Sequence, residues 1–138
     1  MIDGRFLESE GPVFMTYLLV GMGGALGAIA RHALNHVVHQ RSLASTFPVG
    51  IFLVNVLGSI VIGALAGLLA SNRMHWGDHA RTFAIVGVLG GFTTFSSFSL
   101  DTLVLLRAGH VTQALWNVFG QVGLSLIGVW LGYRVATL

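Results

Sequence analysis

Four long segments that are almost free of charge constrain the fold of this chain more than any other feature. They cover residues 13–30, 48–71, 82–100 and 111–133. A helix needs roughly 20 mostly apolar residues to cross the hydrocarbon core of a bilayer. Of the 138 residues only 9% are charged, whereas soluble domains carry about 25%. The sequence therefore predicts an all-α integral membrane protein with four transmembrane helices in a lipid bilayer.

The segments between the predicted spans are too short to form a second domain. Residues 1–12 carry three acidic residues against one arginine, and we interpret them as a polar N-terminal tail. A secretory signal would open with positive charge. Met15 directly precedes the first apolar run and is an alternative start. We assign residues 13–138 to a single four-helix transmembrane domain. The connections are predicted at about 39–48, 72–81 and 107–111.

The basic residues are arginines scattered along the chain, so the sequence predicts no nucleic-acid partner. The absence of cysteine excludes a disulfide framework and a thiolate metal site. More arginines flank the spans on the side of the termini than on the opposite side. The first group is Arg5, Arg73, Arg81 and Arg134, and the second is Arg41 and Arg107. This weak bias fits insertion in both orientations. It also fits an orientation that other features determine.

Glycines recur at a spacing of four within the predicted spans. The pairs are Gly23/Gly27, Gly63/Gly67, Gly87/Gly91 and Gly128/Gly132. Small residues at this spacing allow membrane helices to approach closely. We therefore interpret most of them as packing positions.

Polar side chains within the spans are the candidates for function, because they are costly at membrane depth. Asn55 is either a hydrogen bond between helices or a pore-lining group, and both interpretations stay open. Asn117, Gln121 and Ser125 share one helix face. We favour a pore-facing track, since three polar groups in line need water, an ion or another polar stripe opposite.

Basic side chains follow the first apolar run. Arg31 is either a residue at a helix end whose charge reaches the interface or a positive vestibule group that attracts anions. His32, His36 and His39 resemble a metal-binding face, but no carboxylate or cysteine accompanies them. We interpret these histidines as an interfacial stripe.

The third span contains the stretch GGFTTFSSFS at residues 90–99. Glycines weaken a helix, and hydroxyls compete for its backbone hydrogen bonds. A break in a membrane helix needs its freed backbone groups to be buried or to face an ion or water. Freed carbonyls suit a small cation, while the electropositive edges of phenylalanine rings suit an anion. The alternative is an unbroken, hydroxyl-rich packing face.

Three motifs carry a resemblance to a known family. GGFTTFSSFS resembles the signature of the Fluc (CrcB) fluoride channels, GMGGALGAIARH resembles their first-helix motif, and GIFLVNVLGS resembles their second-helix motif. The resemblance extends over all four spans, from about residue 16 to residue 135. It implies a passive fluoride-selective channel that exports fluoride from a bacterial cell across the inner membrane and relieves its toxicity.

The resemblance also implies an assembly and a set of site residues. The assembly is an antiparallel, dual-topology homodimer with two fluoride pores, a third helix broken near its middle and a central structural Na⁺. The carbonyls of Gly90 and Thr93 would hold the sodium, and Arg31 would line the vestibule. The fluoride pore would comprise Asn55, Thr94, Phe95, Phe98, Asn117, Gln121 and Ser125. Asn117 and Gln121 depart from the tyrosine or other polar residue and the serines usual in this track, although both retain hydrogen-bond donors.

Other function classes fit the sequence less well. A small dual-topology multidrug exporter is the alternative, but it requires an acidic residue deep in the membrane. Asp101 is the only candidate, and it lies toward the end of a span. An accessory subunit without transport leaves the hydroxyl run unexplained. An enzyme is not predicted, because no nucleophile–base pair or metal-ligand set is evident.

Overall fold

The computed structural model describes residues 13–41 and 46–138. Within these residues four helical segments are long and apolar enough to cross a membrane: Val13–Gln40, Val49–Ala70, Asp78–Arg107 and Val111–Thr137. No strand occurs in the described part of the chain. The predicted all-α architecture with four spans is therefore confirmed. The predicted tail at residues 1–12 lies outside the described residues.

Three of the spans are single helices, which we label α1 (Val13–Arg41), α2 (Val49–Ala70) and α6 (Val111–Thr137). The first helix continues well past the end of its apolar run. Its last turns carry the exposed side chains of His36, His39 and Gln40, and His36 and Gln40 form a side-chain hydrogen bond of 2.9 Å there. Side chains four residues apart are neighbours on a helix surface. The helix can therefore extend beyond the apolar segment.

The third span is composite. It begins with α3 (Asp78–Arg81), a π-helical stretch (Thr82–Leu89) and α4 (Gly90–Phe92), and it ends with α5 (Phe95–Arg107). Thr93 and Thr94 between them have extended backbones, with ψ of 157° and 118°. The structure thus has the predicted break. It lies at the two threonines, since Gly90 itself remains helical at φ −62°, ψ −38°.

Glycines bring the spans together in two parallel pairs. A Cβ added to Gly23 would lie 2.9 Å from the Cα of Gly87, and one added to Gly91 would lie 2.8 Å from the Cα of Gly24. α1 therefore packs directly on the first half of the third span. The equivalent glycines of α2 and α6 are Gly63, Gly67, Gly128 and Gly132. Close packing at all four predicted pairs is confirmed.

Most large apolar side chains face outward. Val54, Ile85 and Leu105 are among the few that are buried. Exposed ones occur on every span, for example Phe14, Leu57, Leu103 and Trp130. In a membrane such side chains face lipid or another protein rather than water. This distribution fits a multi-pass membrane protein.

Candidate functional site

The break in the third span is stabilised by the two threonines that form it. The Thr93 hydroxyl donates to the carbonyl of Leu89 at 3.0 Å. The Thr94 hydroxyl accepts from the backbone N–H of Ser97 at 3.3 Å and so caps α5. Hydroxyls that bond nearby backbone groups offer the chain an alternative to the helical ladder. The sequence TT before FSS therefore ends one helix and starts another.

Asn55 on α2 binds the backbone at the break. Its Oδ1 accepts from the N–H of Thr94 at 2.8 Å, and its Nδ2 donates to the carbonyl of Thr94 at 3.0 Å. In an unbroken helix the Thr94 N–H would bond the carbonyl of Gly90. The side-chain amide thus replaces the missing helical bonds. The Asn55 side chain thus joins α2 to the third span by hydrogen bonds, which agrees with one of the two open interpretations.

The break places two helix ends of opposite polarity beside each other. The first half of the span ends in carbonyls, and α5 begins with N–H groups that have no intrahelical partner. A helix N-terminus carries partial positive charge and attracts anions, while a C-terminus attracts cations. The site can therefore favour an anion on one side and a cation on the other.

Arg31 lies beside the break, well inside α1. The helix continues to Arg41, so the interpretation of Arg31 as a residue at a helix end is wrong. Its Nη1 donates to the carbonyl of Thr93 at 3.3 Å, and its side chain is half-buried. No carboxylate among the described residues pairs with it. A full positive charge that has no carboxylate partner among the described residues therefore lies beside the break.

Asn117 and Gln121 on α6 are buried, with exposures of 0% and 4%. The Gln121 Nε2 donates to the Asn117 Oδ1 at 3.2 Å, and the Asn117 Nδ2 donates to the Thr102 hydroxyl at 2.9 Å. The Asn55 Nδ2 donates to the Gln121 Oε1. These two members of the predicted track are thus engaged with α2 and α5. Ser125 is half-exposed, and it makes no side-chain hydrogen bond within the described residues.

An open cavity of about 810 Å³ lies along the break and α6. The predicted residues that line it are Asn55, Gly90, Thr93, Thr94, Phe95, Phe98, Gln121 and Ser125. Arg31 and Asn117 lie outside its lining. The structure thus brings most of the predicted site together within one subunit.

The two predicted pore phenylalanines stand side by side. Their ring centroids are 5.2 Å apart at an interplanar angle of 46°. Phe98 is buried at 8% exposure, whereas Phe95 is 76% exposed. Phe95 therefore has most of its ring available to an ion, a lipid or a partner subunit.

Two hydroxyl residues of the site were missed by the sequence analysis. Ser59 lines the cavity and donates to the carbonyl of Asn55 at 2.7 Å. Thr102 accepts from Asn117 and donates to the carbonyl of Phe98 at 2.8 Å. Each lies four residues after a predicted site residue, which is the spacing that could have identified both.

The histidines on α1 lie on the exposed surface of the helix. The rings of His32 and His36 stack with centroids 6.4 Å apart. Among residues 13–41 and 46–138 no group of three potential metal ligands occurs. Their exposed positions fit the predicted interfacial stripe.

Comparisons with known proteins give a consistent result. Residues 18–133 match the family model described as CrcB-like protein, Camphor Resistance (CrcB). A protein of Opitutus terrae named fluoride-specific ion channel FluC is 51% identical over 121 residues, covering 87% of this chain and 91% of the relative. The protein of that name from Thermus thermophilus is 48% identical, covering 86% and 93%. The one from Paramagnetospirillum magneticum is 46% identical, covering 90% and 97%.

Proposed function

Because the chain belongs to the CrcB-like family, we propose that it is a passive, fluoride-selective channel that exports fluoride and relieves its toxicity. Its place in this family confirms the predictions of a multi-pass membrane protein and of a protein that is not an enzyme. The observation that carries the proposal is the broken third span, whose α5 N-terminus lies at a cavity with Ser125 and Phe95.

The chemistry of the cavity supports a small anion. Fluoride is strongly hydrated, so a pore must replace lost water with hydrogen-bond donors and positive potential. Donors come from the α5 N-terminus and from the Ser125 hydroxyl, which has no partner in the described part of the chain, and the edge of the Phe95 ring is electropositive. Arg31 adds positive charge beside the break. Among the residues that the structure describes, the cavity lining contains no fully charged side chain that would hold the ion too tightly for release.

An antiparallel homodimer of dual topology is the assembly we infer. The cavity is open, and Phe95 in its lining is largely exposed. Leu100, further along α5, is also largely exposed. A second copy would cover this apolar surface. Two such copies would enclose two pores, and the weak arginine bias supports insertion in both orientations. Tags on the C-terminus should then be labelled from both sides of the membrane, and labelling from one side alone would refute dual topology.

The carbonyls of Gly90 and Thr93 are the ligands we propose for a central sodium ion. Gly90 lines the cavity, and its carbonyl loses the usual helical partner because the Thr94 N–H donates to Asn55. The Thr93 carbonyl already accepts a hydrogen bond from Arg31. A carbonyl oxygen has two lone pairs, but the guanidinium charge opposes a cation. Two carbonyls from each subunit would together surround the ion.

The exporter alternative is not favoured. It requires a titratable acid that substrates can reach within the membrane. Asp101 lies on α5 but does not line the cavity, and its Oδ2 is buried without a partner among the described residues. Within residues 13–41 and 46–138 no acidic residue lines the cavity.

Efflux from liposomes tests the proposed function. Protein reconstituted into vesicles loaded with fluoride or chloride should release fluoride rapidly, with chloride far slower. Fluoride release should persist when a protonophore collapses the proton gradient. Protein-free vesicles provide the control. Equal release of the two anions, or release that depends on a proton gradient, would contradict a passive fluoride channel.

A further inference from the structure

The half-buried amide of Asn55 and the buried amides of Gln121 and Asn117 belong to one continuous chain of hydrogen bonds. The N–H of Thr94 donates to Asn55, which donates to Gln121, which donates in turn to Asn117. Asn117 donates to the Thr102 hydroxyl, and that hydroxyl donates to the carbonyl of Phe98. The chain begins and ends on the backbone of the third span, on either side of the start of α5.

Backbone groups at the two ends fix the direction of every amide in this chain. The Thr94 N–H can only donate, so Asn55 must present Oδ1 to it and Nδ2 to Gln121. At the other end, the single Thr102 hydroxyl hydrogen is used on a carbonyl. Thr102 can therefore only accept from Asn117. Both ends require Gln121 to point its oxygen at Asn55. A flip of one amide would set two donors or two acceptors against each other.

This direction leaves Asn55 with no hydrogen for an ion. An amide nitrogen has two N–H donors. The Asn55 Nδ2 uses one on the carbonyl of Thr94 and the other on Gln121. Asn55 lines the cavity, yet in this arrangement it cannot bind an anion there.

We propose that the side-chain oxygen of Gln121 occupies the place of the anion at Asn55 and is displaced by fluoride. The proposal rests on the proposed function. Gln121 and Asn55 both line the cavity, so an incoming ion reaches this hydrogen bond directly. Fluoride is compact and a strong hydrogen-bond acceptor, and it can replace an amide oxygen. Chloride is larger and accepts more weakly. Gln121 therefore adds a selectivity step and lowers the apparent affinity for fluoride.

Gln121→Ser tests this role, because a serine hydroxyl is too short to occupy the same position against Asn55. Freeing one hydrogen bond should lower the half-saturating fluoride concentration by roughly fivefold. Fluoride over chloride selectivity should fall at the same time. Gln113→Ser makes the same replacement on the same helix, where Gln113 bonds only Thr46 among the described residues. That control should match the parent protein.

A second measurement does not depend on a variant that folds. In the parent protein labelled with ¹⁵N at asparagine and glutamine side chains, fluoride titration should shift the Asn55 and Gln121 amide resonances together. The midpoint should match that of fluoride efflux. If the parent passes no fluoride, the proposed function fails. If the parent passes fluoride but Gln121→Ser keeps its half-saturation, or the two resonances stay unchanged through the titration, the role of Gln121 is overturned.

Discussion

The two halves of the third span come from one apolar segment, yet they pack in different ways. The first half, residues 78–92, lies against α1 with glycine on both sides of the contact. The second half, α5, carries hydroxyls bonded to its own backbone and leaves Phe95, Leu100 and Val104 exposed. The first half is a scaffold in which backbones touch. The second half presents side chains to the cavity and to a neighbouring surface.

The break therefore separates a segment that is constrained by backbone packing from a segment whose side chains are more free to vary. In the scaffold half, a Cβ added at Gly87 or Gly91 meets the backbone of α1, and backbone cannot move as a flexible side chain can. The exposed side chains of α5 can change with little effect on the contacts that hold the helices together. Substitutions at the two contact glycines should therefore act on folding, whereas those at exposed positions of α5 should act on ion passage.

Gly91→Ala should have the largest effect. Its Cβ would lie 2.8 Å from the Cα of Gly24, which is closer than real Cβ contacts allow. A Cβ at Gly90 would meet only the carbonyl of Ile85, at 3.9 Å. Because glycine weakens a helix, the sequence predicts that alanine at either position would strengthen it. The structure distinguishes the two residues by their packing, since both are helical and only Gly91 of the two lies against α1.

Size-exclusion chromatography in detergent and thermal melting measure this effect. Gly91→Ala should cost about 1–3 kcal/mol or more, the range for overpacking, and should give little monodisperse protein. Gly90→Ala is the matched control and should elute like the parent. Equal behaviour of the two variants would show that the backbone contact with α1 is not what makes glycine necessary here.

Asn55→Leu should have the next largest effect, at the junction of the two halves. It leaves the N–H and the carbonyl of Thr94 without their partner. An unpaired polar group costs about 1–3 kcal/mol when it is fully buried, and the half-buried groups of Thr94 should cost less. The variant should melt at a lower temperature and lose most fluoride efflux. Val61→Ala, on an exposed position of the same helix, should do neither. Normal efflux from Asn55→Leu would exclude Asn55 from both the break and the pore.

The sequence predicts the features that the lipid bilayer itself imposes on the chain. A bilayer requires long apolar helices, so the four spans follow from hydropathy. The break is one of two interpretations that the glycines and hydroxyls of GGFTTFSSFS allow, and the resemblance to the fluoride channels implies it. The end of α1 does not follow, because the last apolar residue of a span is not the last residue of its helix. Arg31 was therefore assigned to two alternative positions.

Tertiary packing determines the remainder. Periodicity places Asn117 and Gln121 on one face of α6, but it does not reveal which helix that face meets. Only the structure shows that their amides are used by Asn55 and Thr102. The homodimer, the dual topology and the sodium ion stay predictions, since they concern contacts beyond a single chain.

Substitutions at Phe95 and Phe98 test whether the rings on α5 contribute to ion passage. Phe95→Ile keeps apolar bulk but removes the ring quadrupole, and the 76% exposure of Phe95 means that little packing is lost in the subunit. We expect intact protein with efflux reduced by about tenfold, the factor for roughly 1.4 kcal/mol. Phe98→Ile should reduce efflux similarly and cost under about 1.5 kcal/mol of stability. Parallel efflux and melting measurements separate the two effects.

Phe92→Ile is the internal control for this series. Phe92 belongs to the scaffold half and does not line the cavity. Its replacement should leave efflux close to that of the parent. Similar efflux from all three variants, with folded protein in each case, would remove the rings from the mechanism and leave a path along Ser125.

Arg31→Gln should have the smallest effect, because it removes a charge beside the break while retaining a hydrogen-bond donor. The contact with Thr93 is long, at 3.3 Å, and half-buried, so stability should change little. The lost attraction should slow fluoride efflux a few fold at low salt, and the difference should vanish near 1 M salt, where the screening length is only about 3 Å. Arg134→Gln, at the exposed end of α6, should lack this salt-dependent difference.

Arg31→Gln should also raise the affinity for sodium, because a neutral amide no longer opposes a cation at the Thr93 carbonyl. A melting temperature that rises at lower sodium concentration in Arg31→Gln than in the parent would support that competition. Unchanged efflux at low salt together with unchanged sodium dependence would show that Arg31 neither attracts the anion nor opposes the sodium ion.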